Sequence, residues 1–457
     1  MLTVTNPTTG MVLETYPTLS VDDINQRITQ ATNAYQDWGS ARLSLRCKVM
    51  LGVAAKLRER KQALAEMMAL EMGKPIREGL AEVEKAAWCT EHYAEQAAVY
   101  LDSESIESDA VQSYVTYQPL GAVLGILPWN APLWLAFRFL APALMAGNTC
   151  VMKHDPNVQG CAQLIETVFD DVCAVNKVPA HIMVNLTVAT EQIEAAIRHP
   201  AIQAVSFTGS SAAGAKVASI AAAEIKHAVL ELGGSDPCIV MADADLDKAA
   251  DIVVLSRMIN AGQSCIAAKR ILVEAPVYDD FVDKLASRME QLVIGDPLLD
   301  DTQIGPIARQ DLMNNLHRQV ADTINAGARC LLGGEPLHRP GFYYPPTLLV
   351  DVEPGMAAFE EETFGPVMAV MKVDDFEHAI TVANATEYGL GASIWTNTPR
   401  QKRQAILRLQ AGQVAVNGIV KTDPRLPSGG IKKSGYGREL GPQGIREFTN
   451  AKQVWIG

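Results

Sequence analysis

The sequence predicts an α/β fold in which two parallel-sheet domains follow one another along the chain. Short apolar runs that are typical of strands alternate with helical patterns from residue 133 to residue 241, and a second series runs from residue 237 to about residue 420. Such alternation indicates βαβ units, whose strands pair in parallel. The length of 457 residues also exceeds what one core usually serves, so we expect two or three domains.

The first hundred residues are predicted to be helical. Residues 21–101 carry apolar side chains at helical spacing, beginning with a capping region ahead of the segment VDDINQRITQATNAYQDW. The segment that follows, QSYVTYQPLGAVLGILP, is rich in valine and tyrosine and is interrupted by Pro-Leu-Gly. Strand-forming residues around such a break predict a β-hairpin.

The two alternating series are predicted element by element. In the first, a helix ends at Gly147, and then come the strand TCVMK, a helix from about residue 158, the strands HIMVNL and AVSF with a helix between them, a helix at about 212–223 and the strand HAVLEL. The second has the strand PCIVM, a helix over DADLDKAADIVVLSRMINAG, the strand RILVE, helices at 277–292 and 309–326, and the strands VMAVMKV, GASIW and QVAVN. The tail NAKQVWIG is predicted to be a last strand, and the break between the series falls near Gly233 and Gly234.

Composition and charge exclude several classes of function. The net charge of −13 is spread along the chain, whereas a nucleic-acid surface needs clustered lysine and arginine. No apolar run approaches the roughly 20 residues that span a bilayer, and the first residues have no signal-peptide pattern. The eight cysteines show no C-x-x-C and no regular spacing, which argues against a disulfide framework or a zinc site. We therefore expect a cytoplasmic protein that binds no metal, no nucleic acid and no membrane.

One cysteine, Cys265, ends the small turn AGQSC between a helical run and a strand. A buried cysteine usually acts as a small hydrophobic residue. A cysteine on a turn can instead have a lowered pKa and serve as a nucleophile. None of the eight histidines lies near Cys265 in the sequence, but a Cys-His hydrolase stays open because such pairs meet only in space.

Three further segments each allow a functional and a structural interpretation. In AVSFTGSSAAGAKV, Gly209 and Gly214 would let backbone amides approach a phosphate, or they simply form a tight βα turn. Glu231 in LELGGSDP is a general base with a raised pKa, or a glutamate that ends a strand. Asn130 in GILPWNAP directs its amide at an oxyanion, or serves only the turn.

Taken together, the motifs PWN, FTGS, ELGG, GQSC, EETFGPV and PSGGIKKSGYGRELG resemble, in this order, the aldehyde dehydrogenase superfamily over essentially the whole chain. The resemblance implies an aldehyde dehydrogenase-like fold with two Rossmann-like parallel-sheet domains and a small β oligomerisation element. It assigns residues 1–103 and 122–234 to an NAD(P)-binding domain, 235–435 to a catalytic domain, and 104–121 with 436–457 to the oligomerisation element. It also implies a homodimer or a homotetramer.

The resemblance implies a covalent mechanism. Cys265 would attack the aldehyde, and the side chain of Asn130 and the backbone N–H of Cys265 would hold the resulting oxyanion. Hydride leaves for the nicotinamide, and Glu231 then activates the water that hydrolyses the thioester. Sulfur attacks well and leaves well, so that one residue serves both half-reactions.

The cofactor implied by the resemblance is NAD or NADP, and no metal is implied. The residues that match family contacts to the cofactor are Trp129, Lys153, Ser210, Glu362 and Phe364, together with the glycines Gly209 and Gly214. Many NAD-preferring members carry a glutamate three residues after the lysine, and this chain has Pro156 there. Without that carboxylate a 2′-phosphate meets less repulsion, so the choice between NAD and NADP stays open.

The substrate is implied by a narrower resemblance, to the succinate-semialdehyde dehydrogenases, which the segment KHDPN also resembles. Arg138 matches an arginine that binds the distal carboxylate there, and Thr422 falls where they carry a serine. Their second arginine is absent, because Ile259 stands six residues before Cys265. An internal salt bridge of Arg138 remains the alternative, since a buried arginine normally has a protein partner.

We therefore expect NAD(P)-dependent oxidation of succinate semialdehyde to succinate. The alternatives are an aldehyde dehydrogenase for glutarate semialdehyde or a neutral aliphatic aldehyde, a non-catalytic relative, and a thiol hydrolase that would show no NAD(P) dependence. Glu231 argues against a CoA-acylating enzyme because it can activate water. The joint presence of Cys265, Glu231 and Asn130 argues against a non-catalytic relative.

Overall fold

A computed structural model describes residues 1–457, and its first part is mainly helical. The elements are β1 (Leu2–Asn6), β2 (Met11–Tyr16), α1 (Val21–Trp38), α2 (Leu43–Glu59), α3 (Lys61–Met72) and α4 (Ile76–Tyr100). The helix α1 begins at a capping box, in which the Ser20 hydroxyl accepts from the Asp23 N–H and the Asp23 carboxylate accepts from the Ser20 N–H. The prediction of helices over residues 21–101 is confirmed.

The middle of the chain alternates strands and helices. The elements are β3 (Glu104–Ser105), β4 (Gln112–Pro119), β5 (Ala122–Leu127), α5 (Pro132–Ala146), β6 (Thr149–His154), α6 (Gln159–Asn176), β7 (Met183–Asn185), α7 (Ile193–Arg198), β8 (Ile202–Thr208), α8 (Ser211–Ala223) and β9 (His227–Glu231). The predicted strands and helices of the first series all correspond to elements in this list.

The last part begins with a second alternation. The elements are β10 (Asp236–Val240), α9 (Leu246–Met258), β11 (Ala268–Glu274), α10 (Tyr278–Glu290), α11 (Gln310–Asn325), β12 (Arg329–Leu332), β13 (Thr347–Val350), α12 (Ala357–Glu360), β14 (Val367–Val373), α13 (Phe376–Asn384), β15 (Gly391–Trp395), α14 (Pro399–Arg408), β16 (Gln413–Val416), β17 (Gly435–Tyr436), α15 (Gly441–Arg446) and β18 (Thr449–Ile456).

Two large sheets organise the molecule, and both are mostly parallel. One has six strands in the order β17-β9-β8-β5-β6-β7, in which only β17 is antiparallel to its neighbour. The other has seven strands in the order β12-β13-β14-β11-β10-β15-β16, in which only β12 is antiparallel. The predicted α/β class with two mostly parallel sheets is therefore confirmed.

Each large sheet is buried on both faces. In the six-stranded sheet, Val123 belongs to one apolar core and its neighbour Leu124 belongs to another. In the seven-stranded sheet, Cys238 and Ile239 separate in the same way between two further cores. Successive side chains of a strand point to opposite faces, so a strand covered on both sides must be apolar throughout.

The predicted β-hairpin across Pro-Leu-Gly is wrong. The strand β4 pairs antiparallel with β18 and with β3 in a small three-stranded sheet, whereas β5 lies inside the six-stranded sheet between β6 and β8. The physical reason is burial, because β5 is buried at every position and β4 is only partly buried. Gly121, with φ of 137°, lies at the passage from one sheet to the other.

The predicted helix over residues 243–262 is correct only in part. The helix α9 ends at Met258, and the backbone of Asn260 and Ala261 then takes left-handed φ angles of 55° and 51°. This irregular segment leads directly to Cys265. It lies beside the loops that follow β5 and β9, so the two large sheets meet at the residues singled out from the sequence.

Candidate active site

The turn that presents Cys265 is held by buried contacts. Gly262 has a φ of 71°, and a Cβ atom there would collide with the carbonyl oxygen of Gly365. The fully buried guanidinium of Arg257 donates to the carbonyl oxygens of Gly262 and Thr363, at 3.1 and 2.8 Å. Left-handed backbone in non-glycine residues costs free energy and persists only where the surroundings fix it. Cys265, the predicted nucleophile, therefore lies on a strained and well-anchored loop.

A buried lysine donates hydrogen bonds to the backbone of the same loop. Lys269 is fully buried, and its Nζ donates to the carbonyl oxygens of Ser264 at 2.9 Å and of Cys265 at 2.7 Å. Desolvation by the surrounding protein raises the pKa of the Cys265 thiol to about 11, although the residue keeps a partly exposed surface. The charge of Lys269 acts in the opposite direction and favours the thiolate.

Asn130 lies against the nucleophile loop, as its predicted role requires. Its Nδ2 donates to the carbonyl oxygen of Gln263 at 3.1 Å. Its own carbonyl oxygen accepts from Lys74 Nζ at 3.0 Å and from Asn260 Nδ2 at 2.8 Å. The side-chain amide of Asn130 thus contacts the loop two residues before Cys265. Two buried donors, Lys74 and Asn260, hold the backbone carbonyl of Asn130 in place.

Glu231 is the last residue of β9 and is buried. Its Oε2 accepts from Arg138 Nη2 at 3.2 Å, and its Oε1 is buried without a hydrogen-bond partner in the chain. Burial raises the pKa of Glu231 above its ordinary value, and the charge of Arg138 opposes that rise. A carboxyl group with a raised pKa and an open acceptor oxygen is suited to take a proton from water.

Arg138 lies in internal ion pairs. Its guanidinium contacts Glu231 and also Glu439, and all three side chains are buried. Although burial acts to lower it, the carboxylates of Glu439 and Glu231 raise the pKa of Arg138 above its ordinary range. The structure thus contains the salt bridge that was the alternative interpretation of Arg138, and a contact with substrate stays a prediction.

Thr422, the second predicted substrate residue, contacts a lysine on α4. Lys85 Nζ donates to Thr422 Oγ1 at 2.8 Å and lies 4.1 Å from the centre of the Trp134 ring. Burial first, and the neighbouring charge of Arg138 second, lower the pKa of Lys85 to about 8. Lys85 is absent from the residues that the sequence indicated.

The predicted phosphate-binding residues lie at the start of α8. Ser210 is the N-cap of this helix, and its hydroxyl accepts from the Ala213 N–H at 3.3 Å. A Cβ atom at Gly214 would collide with Leu232, so the glycine allows the helix to approach the end of β9. A helix N-terminus offers unpaired N–H groups to an anion. The structure therefore brings Gly209, Ser210 and Gly214 into an arrangement that fits a pyrophosphate.

Three further predicted cofactor residues, Trp129, Phe364 and Glu362, lie around the loop of Cys265. Trp129 and Phe364 pack edge to face with ring centres 5.7 Å apart. Glu362 Oε1 accepts from the Gly234 N–H at 3.1 Å and lies 3.3 Å from Lys269 Nζ. Glu362 thus joins the nucleophile loop, through Lys269, to the segment that follows Glu231.

Lys153 is the residue that most clearly indicates a binding site for a ligand. It is the fifth residue of β6 and is buried, and it makes no hydrogen bond or ion pair within the chain. Burial lowers the pKa of Lys153. Pro156 begins a short 3₁₀ turn three residues later and offers no carboxylate. A buried and unpartnered cation fits the ribose or the phosphate of a dinucleotide, so the residues present fit NAD(P).

Three residues of this site were missed by the sequence reasoning, namely Lys85, Lys269 and Glu439. Lys269 lies four residues after Cys265, and Glu439 lies within the motif GYGRELG, so both were close to quoted segments. Lys85 had no such signal, because it lies on a helix that meets Thr422 only in the folded chain. No group of three or more His, Cys, Asp or Glu side chains is arranged as a metal site, and no helix combines the length and the apolar character that a bilayer crossing requires.

Comparison with known proteins gives consistent matches over the whole chain. The model of the aldehyde dehydrogenase family matches residues 1–454. A probable succinate-semialdehyde dehydrogenase [NADP(+)] of Synechocystis sp. is 46% identical over 451 residues, which cover 99% of this chain and 98% of that protein. Succinate-semialdehyde dehydrogenase [NADP(+)] 1 of Mycobacterium tuberculosis is 44% identical over 454 residues, with the same shares covered.

Two solved structures superpose closely on this chain. One is described in work on cofactor and substrate selection by Gox0499, with a TM-score of 0.97 and 36% identity over 100% of this chain and 99% of that one. The other is a succinic semialdehyde dehydrogenase from Streptococcus pyogenes in complex with NADP+, with a TM-score of 0.96 and 31% identity over 100% of both chains.

Proposed function

The chain belongs to the aldehyde dehydrogenase family, and we propose that it oxidises succinate semialdehyde to succinate with NAD(P), with NADP as the principal cofactor. The observation that carries this proposal is the proximity of a thiol, an amide and a buried carboxyl group. The amide of Asn130 contacts the loop of Cys265 at Gln263, and Glu231, whose charge acts on the Cys265 thiol, keeps one buried oxygen without a hydrogen-bond partner.

The first half-reaction begins at Cys265. Its thiolate forms an S–C bond with the aldehyde carbon, and the π electrons of the carbonyl move to oxygen. The amide of Asn130 and the N–H of Cys265 stabilise that oxyanion by donating to it. When bound, NAD(P) supplies the acceptor for the hydride that leaves the same carbon as the C=O bond re-forms. The chain is then left with a thioester on Cys265.

The second half-reaction uses Glu231. Its carboxylate takes a proton from water while the water oxygen adds to the thioester carbon. The C–S bond then breaks, the sulfur leaves as a thiolate, and the carboxylic acid is released. The raised pKa of Glu231 makes it a stronger base than an exposed glutamate once it has lost its proton.

Several features support NADP as the principal cofactor. Lys153 is a buried cation without a partner, and Pro156 stands where a carboxylate would repel a 2′-phosphate. Both curated relatives described above are named NADP(+) enzymes, and the streptococcal structure holds NADP+. For this chain we propose that Lys153 contacts the ribose end of the cofactor and that the N-terminus of α8 holds the pyrophosphate.

We extend the proposal to organisation and location. The six-stranded sheet supports an NAD(P)-binding domain at 1–103 and 122–234, and the seven-stranded sheet supports a catalytic domain at 235–435. The three-stranded sheet of β18, β4 and β3 supports an oligomerisation element at 104–121 and 436–457 in a homodimer or a homotetramer. All eight cysteines are free thiols, which fits the reducing cytoplasm.

The proposal is tested with a panel of three aldehydes, each with NAD and with NADP. We expect kcat/KM to be highest for succinate semialdehyde with NADP, and lower for glutarate semialdehyde and for butanal. If butanal is oxidised as well as the semialdehyde, the assigned substrate is wrong, although the family membership stands.

Replacement of the nucleophile gives a second measurement. Cys265→Ala should abolish aldehyde oxidation, because no other group can form the covalent intermediate, and should leave NADPH binding close to the unsubstituted value. Cys330→Ala is the matched control, since Cys330 is also a partly exposed free thiol, and its Sγ donates to the Leu332 carbonyl within β12. Turnover that survives in purified Cys265→Ala would contradict the mechanism.

A further inference from the structure

Lys85 is a mostly buried cation that no acid of the chain neutralises. Its ammonium group contacts the Thr422 hydroxyl and the face of the Trp134 ring, and it forms no ion pair. Taking a charge out of water is costly unless an opposite charge accompanies it. A hydroxyl and an aromatic ring compensate only part of that cost. The positive charge of Lys85 is therefore left without a negatively charged partner from the chain.

The acids near Lys85 are already engaged by other cations. Asp423, which follows Thr422, accepts two hydrogen bonds from the Arg425 guanidinium at 2.9 and 2.7 Å. Glu82, one turn before Lys85 on α4, is ion-paired with Lys74 and accepts from the N–H groups at the start of α5. Neither carboxylate lies within ion-pair distance of Lys85.

Arg138 shows the opposite balance. Its single positive charge faces the carboxylates of Glu231 and Glu439, so negative charge is in excess around it when both acids are ionised. A further carboxylate from a substrate would be repelled by these two groups. Of the two cations in this region, Lys85 is the one whose charge is available to a carboxylate.

The position of Lys85 relative to the candidate active site also suits contact with the far end of a short substrate. Trp134 and Arg138 are four residues apart and share one face of α5. Trp134 contacts Lys85, and Arg138 contacts Glu231. Lys85 and the proposed general base therefore contact side chains that stand four residues apart on α5, a rise of about 6 Å along the helix axis, which is the scale of a short carbon chain. Thr422 can donate its own hydroxyl proton while it accepts from Lys85.

We propose that Lys85, together with the Thr422 hydroxyl, binds the distal carboxylate of the substrate and is a specificity-determining residue of this enzyme. The inference rests on the proposed function, in which the substrate is an aldehyde with a carboxylate at its other end.

The test compares one charged and one neutral aldehyde of the same chain length, succinate semialdehyde and butanal, at saturating NADP. Lys85→Met should lower kcat/KM for succinate semialdehyde roughly 10- to 100-fold, mainly through KM, because a charge-assisted hydrogen bond is lost. It should change kcat/KM for butanal by less than about twofold. Lys85→Arg should recover part of the loss, since it restores the charge with another geometry.

The matched control is Lys421→Met, because Lys421 is exposed and directly precedes Thr422. We expect it to leave both aldehydes unchanged. Thermal unfolding and NADPH binding report whether Lys85→Met folds, and Lys85→Gln replaces it if it does not. A loss that is equal for both aldehydes, or no loss for either, overturns the role of Lys85. An unsubstituted enzyme without preference for the semialdehyde contradicts the proposed function instead.

Discussion

Arg138 fixes the position of Glu231, and this determines what its removal would do. The guanidinium lies between the carboxylates of Glu231 and Glu439, and all three groups are buried. Removing one partner of a buried ion pair leaves an uncompensated charge, which typically costs about 3–5 kcal/mol. Arg138 therefore acts on stability and on the general base together, whether or not it also contacts substrate.

We predict that Arg138→Ala lowers the thermal unfolding temperature and slows the oxidation of succinate semialdehyde and butanal alike. The reason is that Glu231 and Glu439 lose their shared cation and the base loses its orientation. Scanning calorimetry and kcat/KM for both aldehydes measure the two effects. A normal unfolding temperature with a loss confined to the semialdehyde would show instead that Arg138 binds the distal carboxylate.

Lys269 is the residue that connects the nucleophile with Glu362. Its ammonium group donates to the Cys265 carbonyl at 2.7 Å and lies 3.3 Å from Glu362 Oε1. Its charge lowers the pKa of the Cys265 thiol, which burial raises to about 11. Without that charge the thiol should be harder to ionise.

We predict that Lys269→Met shifts the pH dependence of Cys265 alkylation by iodoacetamide to higher pH. The thiolate is the reactive form, so the alkylation rate rises as pH approaches the thiol pKa, and loss of a nearby positive charge raises that pKa. At any fixed pH below the midpoint, the variant should react more slowly than the unsubstituted protein. Mass spectrometry of the Cys265 peptide over a pH series gives the rates.

The control for this prediction is Lys226→Met. Lys226 Nζ also donates to two backbone carbonyls, those of Ile197 at 2.6 Å and His199 at 2.7 Å, but it lies away from the cleft. Its loss should leave the alkylation profile in place. An unchanged profile in Lys269→Met would mean that the lysine supports only the loop backbone.

The sequence was informative about single residues where chemistry is concentrated in a short motif. Cys265, Asn130 and Glu231 each stand in a motif whose order along the chain predicted a role for it. The structure places Asn130 against the loop of Cys265 and Glu231 near enough for its charge to act on the thiol, and their roles stay predictions. Lys85 and Glu439 could not be found in this way. Their partners Thr422 and Arg138 are more than 300 residues away in sequence, so the contacts exist only after folding.

Among the secondary-structure elements, most strands that are buried on both faces of a sheet were predicted correctly from the sequence. The strands of both large sheets are continuous apolar runs, and nearly all of them were predicted from that pattern. The pattern does not reveal the partner of a strand, which is why β4 and β5 were paired with each other. Their separation depends on β18, which lies more than 300 residues later in the chain.

The elements that the sequence analysis omitted are short or partly exposed. The hairpin of β1 and β2, the strand β12 and the helices α13 and α14 carry few buried positions or few turns. The end of α9 was placed too late for another reason. The segment INAG continues the apolar pattern of the helix, but contacts from Arg257 and Glu78 hold it in an irregular turn.

In the whole molecule, the candidate active site lies where the two large sheets meet. Asn130 follows β5, Glu231 ends β9, and Cys265 precedes β11, so each sheet or its connection contributes part of the site. Glu362 and Lys269 from the second sheet's side then meet Gly234 at the junction of the two. A shift between the sheets would separate the Asn130 amide from the loop of Cys265, so we expect activity to depend on the rigidity of their contact.

The three-stranded sheet of β18, β4 and β3 leaves a strand edge and apolar side chains exposed. Its outer strand β18 has one edge without a partner. Trp455 and Ile456 on β18 remain exposed at 54% and 43%, and Val111, which directly precedes β4, is exposed at 84%. An exposed edge that carries apolar side chains is a template for pairing with another chain. This is where we propose that copies of the protein associate.

We predict that a chain ending at Phe448, which lacks β18, forms a smaller assembly than the full-length protein. Its sheet would lose the outer strand together with the exposed Trp455 and Ile456, whereas the six-stranded sheet that we propose to bind NADP keeps all its strands. Light scattering coupled to gel filtration gives the mass, and NADPH binding verifies folding. Trp455→Glu tests the same edge in the intact chain, and removal of Gly457 alone is the control, since it lies outside β18. An unchanged mass in both the shortened chain and Trp455→Glu would place the interface elsewhere, and a monomeric full-length protein would remove the basis for any interface.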